Sequence, residues 1–214
     1  MARDRLPAHG LRGRARASAL ARRGAALTGL YGGAFDPPHL GHVEVARAAK
    51  LHFELPRLTV LVAEQPGHRG VDLPADLRLE LARAAFPDDD VRLDPYPRTI
   101  ELLRTERFDD PLFIVGADQF RDFLTWQEPD EVLERTRLAV ATRPGYPAGP
   151  IDEVLEQLDS PERVEFFAIE PVPVASRDVR VRAAAGEPLE GLVPAAVARL
   201  IREQGLYVRS PGLH

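Results

Sequence analysis

The chain contains no cysteine. That excludes disulfides, thiolate nucleophiles, iron–sulfur clusters and thiolate zinc sites, and leaves histidine, carboxylates, arginine and backbone groups to carry any chemistry. Long apolar runs are missing as well. None approaches the roughly 18 residues that a bilayer-spanning helix requires, and no apolar core of about 7–15 residues follows the basic N-terminus as a secretory signal would demand. Methionine and tryptophan occur once each, as Met1 and Trp126. What remains is ordinary for a globular protein: 214 residues, 44% hydrophobic and 29% charged. A chain of this size suits one well-cored α/β domain, and a cytoplasmic setting is expected.

The net charge of −5 is unevenly spread. Residues 1–26 hold seven arginines against Asp4 alone, which leaves a net −11 on the rest of the chain. An acidic body of this kind predicts no broad nucleic-acid-binding face. Residues 1–25 have too few large apolar side chains to offset the entropy of ordering, so a disordered Arg-rich extension is expected there. A native start near Leu27 and a transit-peptide or nucleic-acid-touching tail are the alternatives. Residues 209–214 are expected to form a flexible tail, and 26–208 one domain.

Within that domain, short apolar runs alternate with helical periodicity. Strands are expected at Ala26–Tyr31, Leu58–Val62, Val91–Asp94, Pro111–Val115, Leu138–Thr142 and Val164–Ile169. Helices are expected after the first strand with Val43, Ala46 and Leu51 on one face, from Asp72 and Pro74 through Leu77, Leu81 and Phe86, and over Thr99–Glu106. Two more are expected, from an N-capping Ser176 to Ala184 and over Pro194–Gln204. Continuous apolar strands followed by helices indicate a doubly wound, Rossmann-like parallel sheet covered on both faces. In such sheets ligands collect at the carboxyl ends of strands where strand order reverses.

The segment Gly32-Gly-Ala-Phe-Asp-Pro-Pro-His-Leu-Gly-His42 lies just after the first strand. Its glycines let backbone approach a ligand closely, and a helix N-terminus offers N–H donors to anions. His39 and His42, three apart in the first helical turn, can face one side. Two imidazoles beside helical donors suit stabilisation of a phosphoryl group that gains charge, with no covalent nucleophile.

The segment resembles the Gly-Gly-x-Phe-Asp-Pro-x-His-x-Gly-His signature of nucleotidylyltransferases. Eight fixed positions over roughly 200 starts give a chance expectation on the order of 10⁻⁸ on average composition. Within that superfamily, residues 27–208 resemble the nicotinate (or nicotinamide) mononucleotide adenylyltransferases. Further landmarks are His68-Arg69, Gly116-Ala-Asp118, Thr125-Trp126, Arg143-Pro-Gly-Tyr-Pro147, Ser176–Arg180 and Gln204-Gly-Leu-Tyr207. The resemblance implies adenylyl transfer from ATP to a pyridine mononucleotide with release of pyrophosphate, assisted by Mg²⁺ held mainly by the ATP phosphates and water, with no protein metal site.

It also implies roles for individual residues. His39, His42 and Arg180 would be catalytic, at the ATP phosphates. Gly32, Gly33, Phe35, Gly41, Asp118 and Ser176 would bind ATP, Asp118 through ribose hydroxyls. His68, Arg69, Arg98, Thr99, Trp126 and Arg143 would meet the mononucleotide, Trp126 by stacking on the pyridine ring and Arg143 at the phosphate.

Three positions depart from the family pattern. Val62-Ala63-Glu64 replaces Pro-Asn-Asn, Pro97-Arg98-Thr99 replaces Ser-Tyr-Thr, and Arg177 stands at a Thr of the phosphate-binding helix. Arg98 could hold the carboxylate that distinguishes nicotinate from nicotinamide. The alternatives are a preference for nicotinamide mononucleotide, and a nucleotide-binding module without catalysis.

Overall fold

A computed structural model describes residues 27–67 and 70–208. The expected extension at 1–25, the tail at 209–214, and His68 and Arg69 lie outside the described residues. Six strands form one all-parallel sheet in the order β3-β2-β1-β4-β5-β6. They are β1 (Thr28–Gly33), β2 (Leu58–Ala63), β3 (Asp90–Asp94), β4 (Pro111–Gly116), β5 (Arg137–Thr142) and β6 (Val164–Ala168). The eight α-helices of the described residues are α1 (Leu40–His52), α2 (Ala75–Ala85), α3 (Thr99–Thr105), α4 (Ala117–Arg121), α5 (Pro129–Arg135), α6 (Gly149–Leu155), α7 (Ser176–Ala184) and α8 (Ala195–Glu203).

Alternate residues of each strand point to opposite faces, and both faces are packed. Tyr31, Val60, Val62, Leu112, Ile114 and Ala139 join one core with α1, α2, α7 and α8. Leu30, Leu61, Phe113, Val115, Leu138 and Val140 join the other with α3 to α6. Burial on both sides explains why the strands read as unbroken apolar runs.

Helices α4, α5 and α6 have no counterpart in the sequence reading. At five to seven residues each, they are too short to carry a clear period. Leu51, expected on the apolar face of α1, is 73% exposed. At 100° per residue it sits about 140° round from Ala46, and the buried positions are Ala46, Ala48 and Ala49.

Strand order reverses between β1 and β4. Their pairing runs from Thr28↔Pro111 to Tyr31↔Ile114. Gly32 and Gly33 therefore extend past the last β4 partner while still paired with Leu61 and Val62 on β2. A crevice opens at this carboxyl edge, the position where open α/β sheets take ligands.

Candidate active site

Two cavities open into the crevice. The larger, about 380 Å³, is lined by Trp126, Thr125, Arg98, Thr99, Tyr96 and Phe113 among others. The smaller, about 190 Å³, is lined by His42, Arg180, Ser176, Gly70 and the residues from Tyr31 to Asp36. Gly32, Gly33, Ala34 and Gln119 border both, so they are two chambers of one site. Glycine is required at the partition by space. A Cβ on Gly33 would lie 2.9 Å from Cζ of buried Phe35, and one on Gly32 3.0 Å from Cζ of Phe113.

The smaller chamber is built around the start of α1. His39 precedes the helix in extended conformation, and its backbone N–H donates to Nδ1 of His42 at 3.2 Å. The two rings stack with centroids 3.7 Å apart. His42 faces the chamber, backed by the Phe35 ring at 5.2 Å. His39 lies behind it, outside the lining of either chamber, across the Cα of Gly41. Its Nδ1 is buried with no hydrogen-bond partner. Burial lowers the His39 pKa to about 4, partly opposed by Asp178, so the ring is neutral at pH 7. Phe35 serves as a core residue: its side chain is 2% exposed and meets Tyr31 and Phe86 edge-on.

Arg180, in the second turn of α7, enters the same chamber. Its guanidinium donates to the Asp36 carbonyl at 2.8 Å and pairs with the Asp72 carboxylate at 3.1 Å. Ser176 is not the N-cap of α7. Ala175 holds that position in extended conformation, and Ser176 begins the helix with its hydroxyl donating to the Pro37 carbonyl at 2.9 Å. A hydroxyl one position inside the helix faces the neighbouring loop rather than its own amides, so it ties α7 to the histidine segment. Arg177 is exposed and lines neither chamber.

In the larger chamber the Trp126 ring is steadied by Phe113 at 6.2 Å, edge-on, and by Phe123 at 5.2 Å. Arg98 caps α3 and lines this chamber beside Thr99, its guanidinium donating to the Pro97 carbonyl at 3.1 Å. Asp94 also faces it. Burial raises the Asp94 pKa, against the lowering effects of the Tyr96 N–H bond and Arg92. Ala63 of the Val62-Ala63-Glu64 departure borders the chamber through a small apolar side chain.

Asp118 and Arg143 come together outside both chambers. Asp118, the second residue of α4, is 67% exposed. It accepts from the Tyr146 hydroxyl at 3.1 Å and lies 3.8 Å from Arg143 and 4.0 Å from Arg121. The carboxyl end of β5 brings Arg143 to Asp118, not to the chamber that holds Trp126.

Several site residues have no role assigned from the sequence, Asp36 among them although it is a fixed position of the signature. Gln119 borders both chambers and accepts from the Gly116 N–H at 3.3 Å; its signal was its place one residue after Gly116-Ala-Asp118, at the strand-order reversal. Asp36 is 3% exposed and accepts from the Asp72 N–H at 2.5 Å and the Tyr207 hydroxyl at 2.7 Å. Arg78 is 1% exposed on α2. Its signal was a charge set three and four residues before Leu81 and Ala82, on the core-facing stripe.

No group of three or more His, Asp or Glu side chains among the described residues converges as a metal cage. No helix among them is long and apolar enough to cross a membrane.

Comparison with known proteins agrees with this geometry. The cytidylyltransferase-like family profile matches residues 30–182. A probable nicotinate-nucleotide adenylyltransferase of Thermus thermophilus is 37% identical over 191 residues, covering 84% of this chain and 98% of the relative. One from Bordetella avium is 34% identical over 193 residues, covering 84% and 96%. In fold, the chain is similar to Plasmodium falciparum nicotinic acid mononucleotide adenylyltransferase solved with NaAD. The TM-score is 0.67 at 14% identity, over 85% of this chain and 97% of that one. With a sheet order, a histidine-lined crevice and relatives matched over nearly their whole length, the chain belongs to the nicotinate-nucleotide adenylyltransferase family, within the cytidylyltransferase-like group.

Proposed function

We propose that this protein transfers the adenylyl group of ATP to nicotinate mononucleotide, forming nicotinate adenine dinucleotide and pyrophosphate in the synthesis of NAD. An oxygen of the mononucleotide 5′-phosphate attacks the α-phosphorus, and the bond to the departing pyrophosphate breaks. Positioning and charge stabilisation suffice for this chemistry. The observation that carries the reading is the partitioned crevice: a chamber holding His42 and Arg180 shares its Gly32–Ala34 wall with an aromatic chamber holding Trp126 and Arg98.

In this reading the triphosphate occupies the smaller chamber. His42 donates to the α-phosphate as charge develops, and Arg180 leaves Asp72 to hold the outer phosphates. His39, stacked behind, fixes the His42 ring. The pyridine ring lies against Trp126, and Arg98 takes the nicotinate carboxylate. Mg²⁺ would enter with ATP, held by phosphate oxygens and water, and would offset phosphate charge. ATP and a pyridine mononucleotide are the partners this function needs, in a cytoplasmic setting.

The test is steady-state pyrophosphate release with nicotinate and nicotinamide mononucleotides side by side, in wild type and Arg98→Ala. The expected result is a higher kcat/KM for the nicotinate form, with the ratio falling about tenfold or more in the variant, as loss of a charge-assisted pair predicts. An unchanged ratio removes Arg98 from recognition. ATP binding without turnover on either mononucleotide refutes the enzyme reading.

A further inference from the structure

The chambers are framed by two chain connections. One leaves β1 at Ala34, and the other runs from the end of β2, at Ala63 and Glu64, to Leu73 just before α2. One side chain reaches the first and both ends of the second. The Arg78 guanidinium donates to the Ala63 carbonyl at 2.7 Å, Ala34 at 2.8 Å, Leu73 at 3.0 Å and Glu64 at 3.2 Å. Four of its five N–H donors are thus spent on backbone carbonyls, and no carboxylate is among its hydrogen-bond partners.

We propose that Arg78 is a positioning residue for adenylyl transfer, a buried clamp that sets the spacing of the loops bounding both chambers; this rests on the function proposed above. A cation kept 1% exposed whose hydrogen bonds all go to backbone carbonyls, with buried Asp36 acting on it only through space, is unusual, because burial of charge is unfavourable unless it is hydrogen-bonded and compensated. Ala34 lines both chambers and Ala63 the larger one. A shift of the Ala34 wall therefore alters both substrate sites together. Only a planar fork can serve carbonyls from three directions. A lysine ammonium offers three donors from a single point.

The experiment compares Arg78→Lys and Arg78→Met with wild type, well below their unfolding temperatures and normalised to folded protein. Two readouts are used: kcat and KM for both substrates, and the calorimetric Kd of ATP. Clamping predicts that Arg78→Lys raises both KM values together and lowers kcat/KM about tenfold. Arg78→Met should lose about a hundredfold, the scale of a misplacement near 1 Å. The ATP Kd should weaken in the same order, Met more than Lys. Arg78→Lys keeps the test decisive if the methionine variant does not fold. Folded variants with KM, kcat and Kd within twofold of wild type overturn the proposal. So does failure of both to fold, which would make Arg78 a stability residue alone. Wild type that binds ATP but transfers no adenylyl group refutes the proposed function instead, and the ATP Kd series still decides the clamp.

Discussion

Replacing Gly41 with alanine separates catalytic geometry from stability. Gly41 is the second residue of α1, and its backbone is compatible with any L-residue. The new Cβ would lie 3.0 Å from both Nδ1 and Cε1 of His39 and 3.7 Å from Cγ1 of Val174. Ordinary contact begins near 3.4 Å, so the His39 ring must move by about 0.4 Å. It cannot move alone, since the His42 ring is stacked on it at 3.7 Å and accepts the His39 N–H bond. If a misplacement near 1 Å costs about a hundredfold, a shift of this size predicts a loss of about sixfold in kcat. Stability moves little. Alanine in a helix gains up to about 1 kcal/mol over glycine, and an off-rotamer ring costs about 0.5–1.5 kcal/mol. The net lies within about 1 kcal/mol, or about 2–4 °C in a chain of this size. Pyrophosphate release and calorimetric unfolding measure the two separately. Turnover within twofold of wild type would refute the stacked-ring account, as would an activity loss that only follows unfolding.

Three other perturbations probe the same site. His42→Ala is expected to lower kcat by about 10²–10³-fold without unfolding the protein, as removal of one transition-state donor does; near-normal turnover contradicts its place at the phosphates. Tyr207→Phe leaves one oxygen of buried Asp36 without its donor and should cost about 1–3 kcal/mol in denaturant unfolding. A midpoint equal to wild type would show that this clasp carries no stability. His39 titrates near 4 when folded and near 6.5 when unfolded, so the unfolded chain binds the extra proton between those values. The contribution from neutral His39 is therefore complete above about pH 6.5 and is lost as pH falls towards 4, up to about 3 kcal/mol. Wild type minus His39→Asn, measured at pH 7.5, 5.5 and 4.5, should show this slope; a difference independent of pH contradicts the burial of the ring.

Residues Gly32 to His42 made the site legible because the chemistry there is local. The glycines, the histidine spacing and the helix start lie within eleven consecutive positions after one strand. The sheet was legible for a related reason, since burial on both faces leaves continuous apolar strands at β1, β2, β4 and β5. Arg78 was not, because its partners at residues 34, 63, 64 and 73 become neighbours only when the β1–α1 connection meets both ends of the β2–α2 connection. Asp36 and Tyr207 are 171 residues apart and meet through folding alone. Residue type alone marks Ser176 as a helix cap, but the loop at Pro37 offers its hydroxyl a different partner.

The number and parallel direction of the strands, and the chemical identity of the histidine segment, follow from the sequence itself, because periodicity and short-range spacing encode both. The tertiary structure decided how the two imidazoles divide their work, with one facing the chamber and one buried behind it. It also decided that Arg98 joins Trp126 while Arg143 goes to Asp118. Those outcomes depend on which side chains converge across the β1–β4 edge, and distances between chain-remote groups exist only once the sheet has formed.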